Sequence, residues 1–158
     1  MKTIQIFTAA SLSLAMLSTA AIAEITFHNA INGETLDMSV AKKGGDTEAF
    51  KQFKETGKNP YNGDAEAVKK GHDLYMTACS GCHGHEAEGK LGPGLADDYW
   101  TYPANATDKG LFELLFGGAN GMMGPQYVNL NTDEMLLIMS WIRDIYKGDP
   151  KKAKWLNK

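Results

Sequence analysis

Residues 71–83 read Gly71-His72-Asp73-Leu74-Tyr75-Met76-Thr77-Ala78-Cys79-Ser80-Gly81-Cys82-His83, and they decide how the rest of the chain is read. The segment ends in C-x-x-C-H, and that spacing has a chemical meaning. Two thiols separated by two residues can each add to one of the two vinyl groups of a haem, and the imidazole that follows then lies beneath the iron. Cys79 and Cys82 are therefore the predicted thioether links and His83 the predicted axial ligand. Covalent attachment suits an exported chain, because a bonded haem is not lost on dilution. Two other chemistries use paired cysteines. A structural zinc site takes four nitrogen or sulfur ligands, and here the missing ones would have to come from His83, His85, His72 or His28, which form no second pair at finger spacing. A thioredoxin-like disulfide needs a βαβ frame, and no strand pattern precedes the motif.

Outward from the motif the periodicity is helical. From Asp64, a plausible N-cap, Val68, Gly71, Leu74, Tyr75 and Ala78 recur on one face and end at the cysteines. A second helix is predicted from Thr107-Asp108 through Leu111, Phe112, Leu114, Leu115 and Phe116, stopped by Gly117-Gly118. A third begins at Asn131, with Glu134 completing a capping box, and runs through Leu137, Ile138, Trp141, Ile142 and Ile145 toward Gly148 and Pro150. Between the first two lies a Gly- and Pro-containing stretch of about 25 residues, anomalous in a small domain unless a large ligand organises it. Upstream, Phe50 and Phe53 mark a short helix from Thr47 to Thr56, closed by Gly57 and followed by the turn Asn59-Pro60-Tyr61-Asn62-Gly63. Ile25-Thr26-Phe27 and Leu36-Asp37-Met38 look extended around Asn32-Gly33. The expectation is an all-α fold packed around one haem, with an extended N-terminal segment.

The opening 23 residues read as a secretory leader: Lys2, an uncharged apolar and small stretch from Ile4 to Leu17, then Ala21-Ile22-Ala23 as the cleavage pattern. The apolar run is shorter than the ~20 residues a spanning helix needs, so no membrane anchor is expected after cleavage. The chain then divides into leader 1–23, N-terminal extension 24–63, haem domain 64–148 and C-terminal tail 149–158, with the periplasm as its compartment. Sixteen basic and nineteen acidic side chains give a net charge of −3, and loss of Lys2 with the leader makes it −4. That balance argues against nucleic acid as a partner. With no cysteines beyond the motif, no disulfide framework is available.

A sixth iron ligand is sought in Gly117-Gly118-Ala119-Asn120-Gly121-Met122-Met123-Gly124-Pro125, a glycine-rich loop with two adjacent methionines. A thioether is a soft, neutral ligand that favours reduced iron. Met123, beside Gly124-Pro125, is preferred over Met122. If neither ligates, a five-coordinate haem that acts on peroxide or binds a small ligand remains the alternative. His28, His72 and His85 are read as surface residues, and Met76, Met135 and Met139 as core. Trp100 and Tyr102 are either neighbours of a haem propionate or ordinary core aromatics.

These features together resemble the class I cytochromes c over nearly all of residues 64–148. Gly71-x-x-Leu74-Tyr75 is similar to that family's N-terminal helix, whose glycine admits the C-terminal helix, with Trp141 as the packing aromatic. Gly92-Pro93-Gly94-Leu95 resembles its G-P-x-L loop, which implies that the Pro93 carbonyl accepts a hydrogen bond from His83 and that Pro93 and Leu95 lie against the haem. The stretch from Gly89 to Pro103, then Thr107–Glu113, Phe116–Ala119 and Gly121–Pro125, resembles the cytochrome cL family more narrowly, as does Glu55–Asn62. The resemblance implies a non-enzymatic one-electron carrier, with haem c as cofactor and calcium left open. It implies quinone (PQQ)-bearing methanol dehydrogenase as electron donor and a downstream c-type cytochrome as acceptor, with a different periplasmic dehydrogenase as the competing donor. It also implies Met123 as the iron ligand. Some relatives carry a competing histidine three residues later, where this chain has Gln126, whose amide is a poor ligand for haem iron.

Overall fold

The computed structural model describes residues 24–156. The predicted leader lies outside these residues, as do the last two positions of the tail. Five α-helices form the frame: α1 Glu48–Thr56, α2 Ala65–Ala78, α3 Ser80–His83, α4 Asp108–Gly117 and α5 Thr132–Asp144. Short 3₁₀ turns occupy Met38–Val40, Pro103–Ala106, Gln126–Val128, Pro150–Lys152 and Lys154–Leu156. Among the described residues there is no β-strand beyond an isolated antiparallel bridge between His28 and Thr35, and the fold is all-helical.

Each long helix starts where a side chain satisfies an orphan backbone N–H group. Thr47 accepts from the Phe50 amide at 3.2 Å, Asp64 from Ala67 at 2.8 Å and Thr107 from Gly110 at 3.0 Å. At α5 the capping box is complete: the Glu134 amide donates to Asn131 Oδ1 at 2.9 Å, and the Asn131 amide donates to Glu134 Oε2 at 2.8 Å. The C-terminal end differs from the expectation, because α5 stops at Asp144, with Ile145 as its C-cap, before Gly148 is reached. The extended reading of Leu36-Asp37-Met38 also fails at its end. The Leu36 amide does pair with the Phe27 carbonyl at 2.9 Å, but Asp37 Oδ1 accepts from the Ser39 amide at 2.9 Å, and that local bond turns Met38–Val40 into a 3₁₀ helix.

The central contact is the crossing of α2 and α5. A Cβ placed on Gly71 would lie 2.0 Å from the Leu137 carbonyl oxygen, so only glycine permits this approach. Tyr75 then packs on Trp141 with ring centres 4.2 Å apart, and its hydroxyl donates to the Gly84 carbonyl just past the haem motif. The N-terminal segment joins the same core. Phe27 and Phe53 meet Phe112 of α4 at 5.4 Å and 5.0 Å, and Phe53 is fully buried. Asp108 at the start of α4, itself buried, accepts from the Asn59 amide and from Asn62 Nδ2, fixing the turn that leads into α2. No helix among the described residues is long and apolar enough to cross a membrane.

Candidate haem-binding site

The C-x-x-C-H segment is itself a turn of helix. The Cys79 carbonyl accepts from the His83 amide at 3.0 Å, so α3 winds the two cysteines and the histidine onto one side of the chain. That side opens on a cavity of about 310 Å³ whose walls come from both ends of the haem motif, the 91–105 loop, α4, the 119–126 loop and Ile142 of α5. Cys79, Cys82, His83, Pro93, Leu95, Trp100, Tyr102 and Met123 all line it. The residues singled out from sequence are thus brought together in one place. His28, His72 and His85 do not line it, and His72 instead packs on Trp141 at 5.2 Å.

His83 is held in one orientation. Its Nδ1 lies 2.8 Å from the Pro93 carbonyl oxygen, and a carbonyl can only accept, so Nδ1 carries the proton and Nε2 keeps its lone pair. Gly92 presses on the ring: a Cβ there would lie 2.7 Å from His83 Cε1, so the loop seats the imidazole by backbone contact. The Cys79 thiol is pushed up to about 11 by burial first and by neighbouring Cys82 second. Cys82 is exposed at the cavity mouth.

The glycine-rich loop separates its two methionines. The Ala119 amide donates to the Met123 carbonyl at 2.9 Å, closing the loop on itself, and Met123 packs partly against the core while Met122 is 82% exposed. Tyr102 is tied to the same loop, its hydroxyl oxygen accepting from the Asn120 amide at 2.9 Å.

Buried polar atoms test whether the cavity suits a haem. Among the described residues Trp100 Nε1 and Asn105 Oδ1 are buried without a hydrogen-bond partner, and both residues line the cavity. An unpartnered indole N–H group costs free energy unless something meets it, and a haem propionate is an acceptor of the right kind. The apolar walls, mainly Leu95, Leu111, Leu114, Leu115 and Ile142, suit a flat macrocycle. The residues present therefore fit the cofactor. No group of three or more His, Cys, Asp or Glu side chains is gathered for a further metal ion among the described residues. Asn105 was not legible as a site residue, because it sits in a 3₁₀ turn whose place on the wall is set by tertiary packing.

Comparisons with known proteins agree with this architecture. Residues 66–142 match the family described as cytochrome C oxidase, cbb3-type, subunit III. The chain is 58% identical over 134 residues to cytochrome c-L of Methylorubrum extorquens, covering 84% of this chain and 68% of that protein. It is similar to the crystal structure of cytochrome cL from the marine methylotrophic bacterium Methylophaga aminisulfidivorans, with a TM-score of 0.83, 60% identity and coverage of 85% and 89% of the two chains. Cytochrome cL from Hyphomicrobium denitrificans superposes with a TM-score of 0.81 at 54% identity, covering 86% of this chain and 82% of that one.

Proposed function

This chain belongs to the cytochrome cL family and is a c-type cytochrome electron carrier; on that premise we propose that it takes single electrons from a quinone-bearing methanol dehydrogenase and hands them to a downstream c-type cytochrome in the periplasm. The observation that carries the reading is the meeting of Cys79, Cys82, His83 and Met123 on one cavity, with His83 Nδ1 bonded to the Pro93 carbonyl. In this proposal Cys79 and Cys82 would hold haem c through thioether bonds, and His83 Nε2 and Met123 Sδ would ligate its iron. The haem supplies the one-electron Fe(III)/Fe(II) couple. The chain's own residues supply the rest. Pro93 keeps the imidazole in the ligating tautomer, and an orienting partner on the second ring nitrogen also raises ligand basicity. Leu95 and the α4 leucines keep water from the macrocycle, and Trp100 and Tyr102 offer N–H and O–H groups to the propionates. With His83 and Met123 both ligating the iron, no position on it would be left for a substrate, and the protein would act as a carrier rather than an enzyme.

The test is stopped-flow reduction of the ferric protein by methanol-loaded methanol dehydrogenase across a salt series. Reduction should be fast and should slow as ionic strength rises, since charges are screened over a Debye length of about 8–10 Å near physiological salt. A haem that is never reduced at any ionic strength would remove this donor while leaving the carrier reading intact.

A further inference from the structure

Behind the cavity wall lies a charged group that the electron-carrier reading leaves without a role. Arg143, near the end of α5, is buried, and its guanidinium reaches three positions at the start of α4: Nε donates to Asp108 Oδ1 at 3.0 Å, and Nη2 donates to the carbonyls of Asn105 at 2.8 Å and Thr107 at 2.9 Å. Its flat face is covered by Trp155 from the C-terminal 3₁₀ turn, with 3.8 Å from the guanidinium carbon to the ring centre, and by Trp100 at 5.5 Å. Trp155 in turn meets Trp100 edge-on at 6.0 Å and Tyr146 at 4.8 Å. Trp100 and Asn105, the two wall residues with unmatched buried polar atoms, thus rest on the same guanidinium.

Stability alone is a poor account of this arrangement. Removing a guanidinium and a carboxylate from water costs several kcal/mol per ion, and apolar replacements of such pairs are often neutral or better. What a forked, planar cation does provide is fixed geometry, because several donors in one plane lock several partners at once. We propose that Arg143, clamped by Trp155, is a positioning residue for the haem: it fixes Trp100 on the cavity wall so that its Nε1–H group meets the propionate edge, and it holds the Asn105 backbone beside it so that water is kept away, which holds the reduction potential up. The proposal rests on the haem reading and deepens it. The sign follows from charge. A propionate that loses an N–H donor is less neutralised, and water admitted beside the haem stabilises the more highly charged ferric state, so both changes lower the potential.

The experiment compares holoprotein of the parent, Trp155→Ala, Trp155→Phe and Arg143→Lys by haem stoichiometry, the methionine–iron band, spectroelectrochemical titration, resonance Raman of the propionate bending modes and denaturant unfolding. Trp155→Ala should keep the haem and the band yet shift the Fe(III)/Fe(II) ratio at fixed potential about tenfold toward ferric, which is about 59 mV for a one-electron couple, with the propionate modes displaced. Arg143→Lys, which keeps the charge but loses the planar stack, should fall in the same direction, and Trp155→Phe should recover most of the parent value. If the alanine variant fails to mature, Arg143→Lys carries the same test. Unchanged potential and propionate modes beside lowered unfolding midpoints would show a purely structural role and overturn the proposal. Absence of haem from the parent protein would instead overturn the reading on which it rests.

Discussion

Replacing Gly71 with alanine should destabilise the protein, although alanine is the better helix former. The intrinsic gain inside α2 is about 1 kcal/mol. Against it stands the crossing with α5, where the new Cβ would lie 2.0 Å from the Leu137 carbonyl oxygen, 2.7 Å from its carbonyl carbon and 3.2 Å from Trp141 Cβ. Ordinary contact begins at 3.4 Å, so α5 would have to retreat by more than an ångström, and backbone cannot swing aside as a side chain can. Overpacking of this kind costs about 1–3 kcal/mol, and the rigid partner places this site at the upper end. The net expectation is a loss of about 1–2 kcal/mol, after the propensity gain is subtracted. The retreat would also disturb the 4.2 Å packing of Tyr75 on Trp141 and pull Ile142 from the cavity wall. Guanidinium titration of the ferric protein, followed by haem absorbance and far-ultraviolet circular dichroism, measures the loss. Gly81→Ala is the control, since it too lies in a helix but a Cβ there meets nothing within 4 Å, and it should cost nothing and gain up to about 1 kcal/mol. A Gly71→Ala protein as stable as its parent would refute the crossing argument.

Replacing Cys79 and Cys82 together with serine should yield a chain that releases its haem in acid–acetone, whereas the unmutated protein should retain one haem after denaturation; extraction from the latter would exclude thioether attachment. Met123→Ala should abolish the weak far-red methionine–iron band and lower the potential, while Met122→Ala, a side chain 82% exposed, should change neither, and the opposite pattern would transfer the ligand to Met122. Phe53→Ala removes a fully buried ring that packs on Phe27 and Phe112 and should cost about 3–5 kcal/mol in denaturant unfolding, with a small loss showing that the 24–63 segment is not anchored there.

What the sequence made legible were features whose cause is local. The α5 start could be read because Asn131 and Glu134 satisfy each other's backbone within one turn. The haem motif could be read because its chemistry fixes its spacing. The G-P-x-L loop could be read only through family resemblance, since nothing in Gly92-Pro93-Gly94-Leu95 by itself says which histidine the Pro93 carbonyl meets. Where the cause is tertiary the sequence was silent. Arg143 carries a charge and ordinarily belongs at the surface, and its burial is made tolerable by Asp108, thirty-five residues earlier, by the carbonyls of Asn105 and Thr107, and by Trp155. With Lys151, Lys152 and Lys154, the tail has the composition of a solvated basic end. Its lysines are exposed, but Ala153 is buried and Trp155 packs inward, because an aromatic among lysines can seal a core while its neighbours face water. The cysteine cluster looked like the end of a helix, yet it begins another turn, since the bond from the His83 amide to the Cys79 carbonyl depends on no side-chain signal.

The segments that carry most of the cavity lining bear no charge, and that absence suits a carrier. The segments that frame the cavity mouth, residues 91–96, 99–107 and 114–132, contain no Asp, Glu, Lys or Arg. The large apolar side chains that stand out from them into solvent, Leu91, Tyr99, Met122 and Val128, are 70%, 70%, 82% and 66% exposed. A partner seated over the mouth would therefore desolvate apolar groups and few ions, avoiding the several kcal/mol that each buried charge would cost. The acidic balance of the chain lies outside this frame, beginning at Asp97 and Asp98 between two of its segments, with Asp98 paired to Lys152 at 2.8 Å. Charges at a rim change the rate of encounter and its salt dependence far more than the lifetime of the complex. An electron carrier needs that combination, because it must find its donor quickly, place an apolar edge in close contact for one electron transfer, and leave again with no buried ion pairs to break.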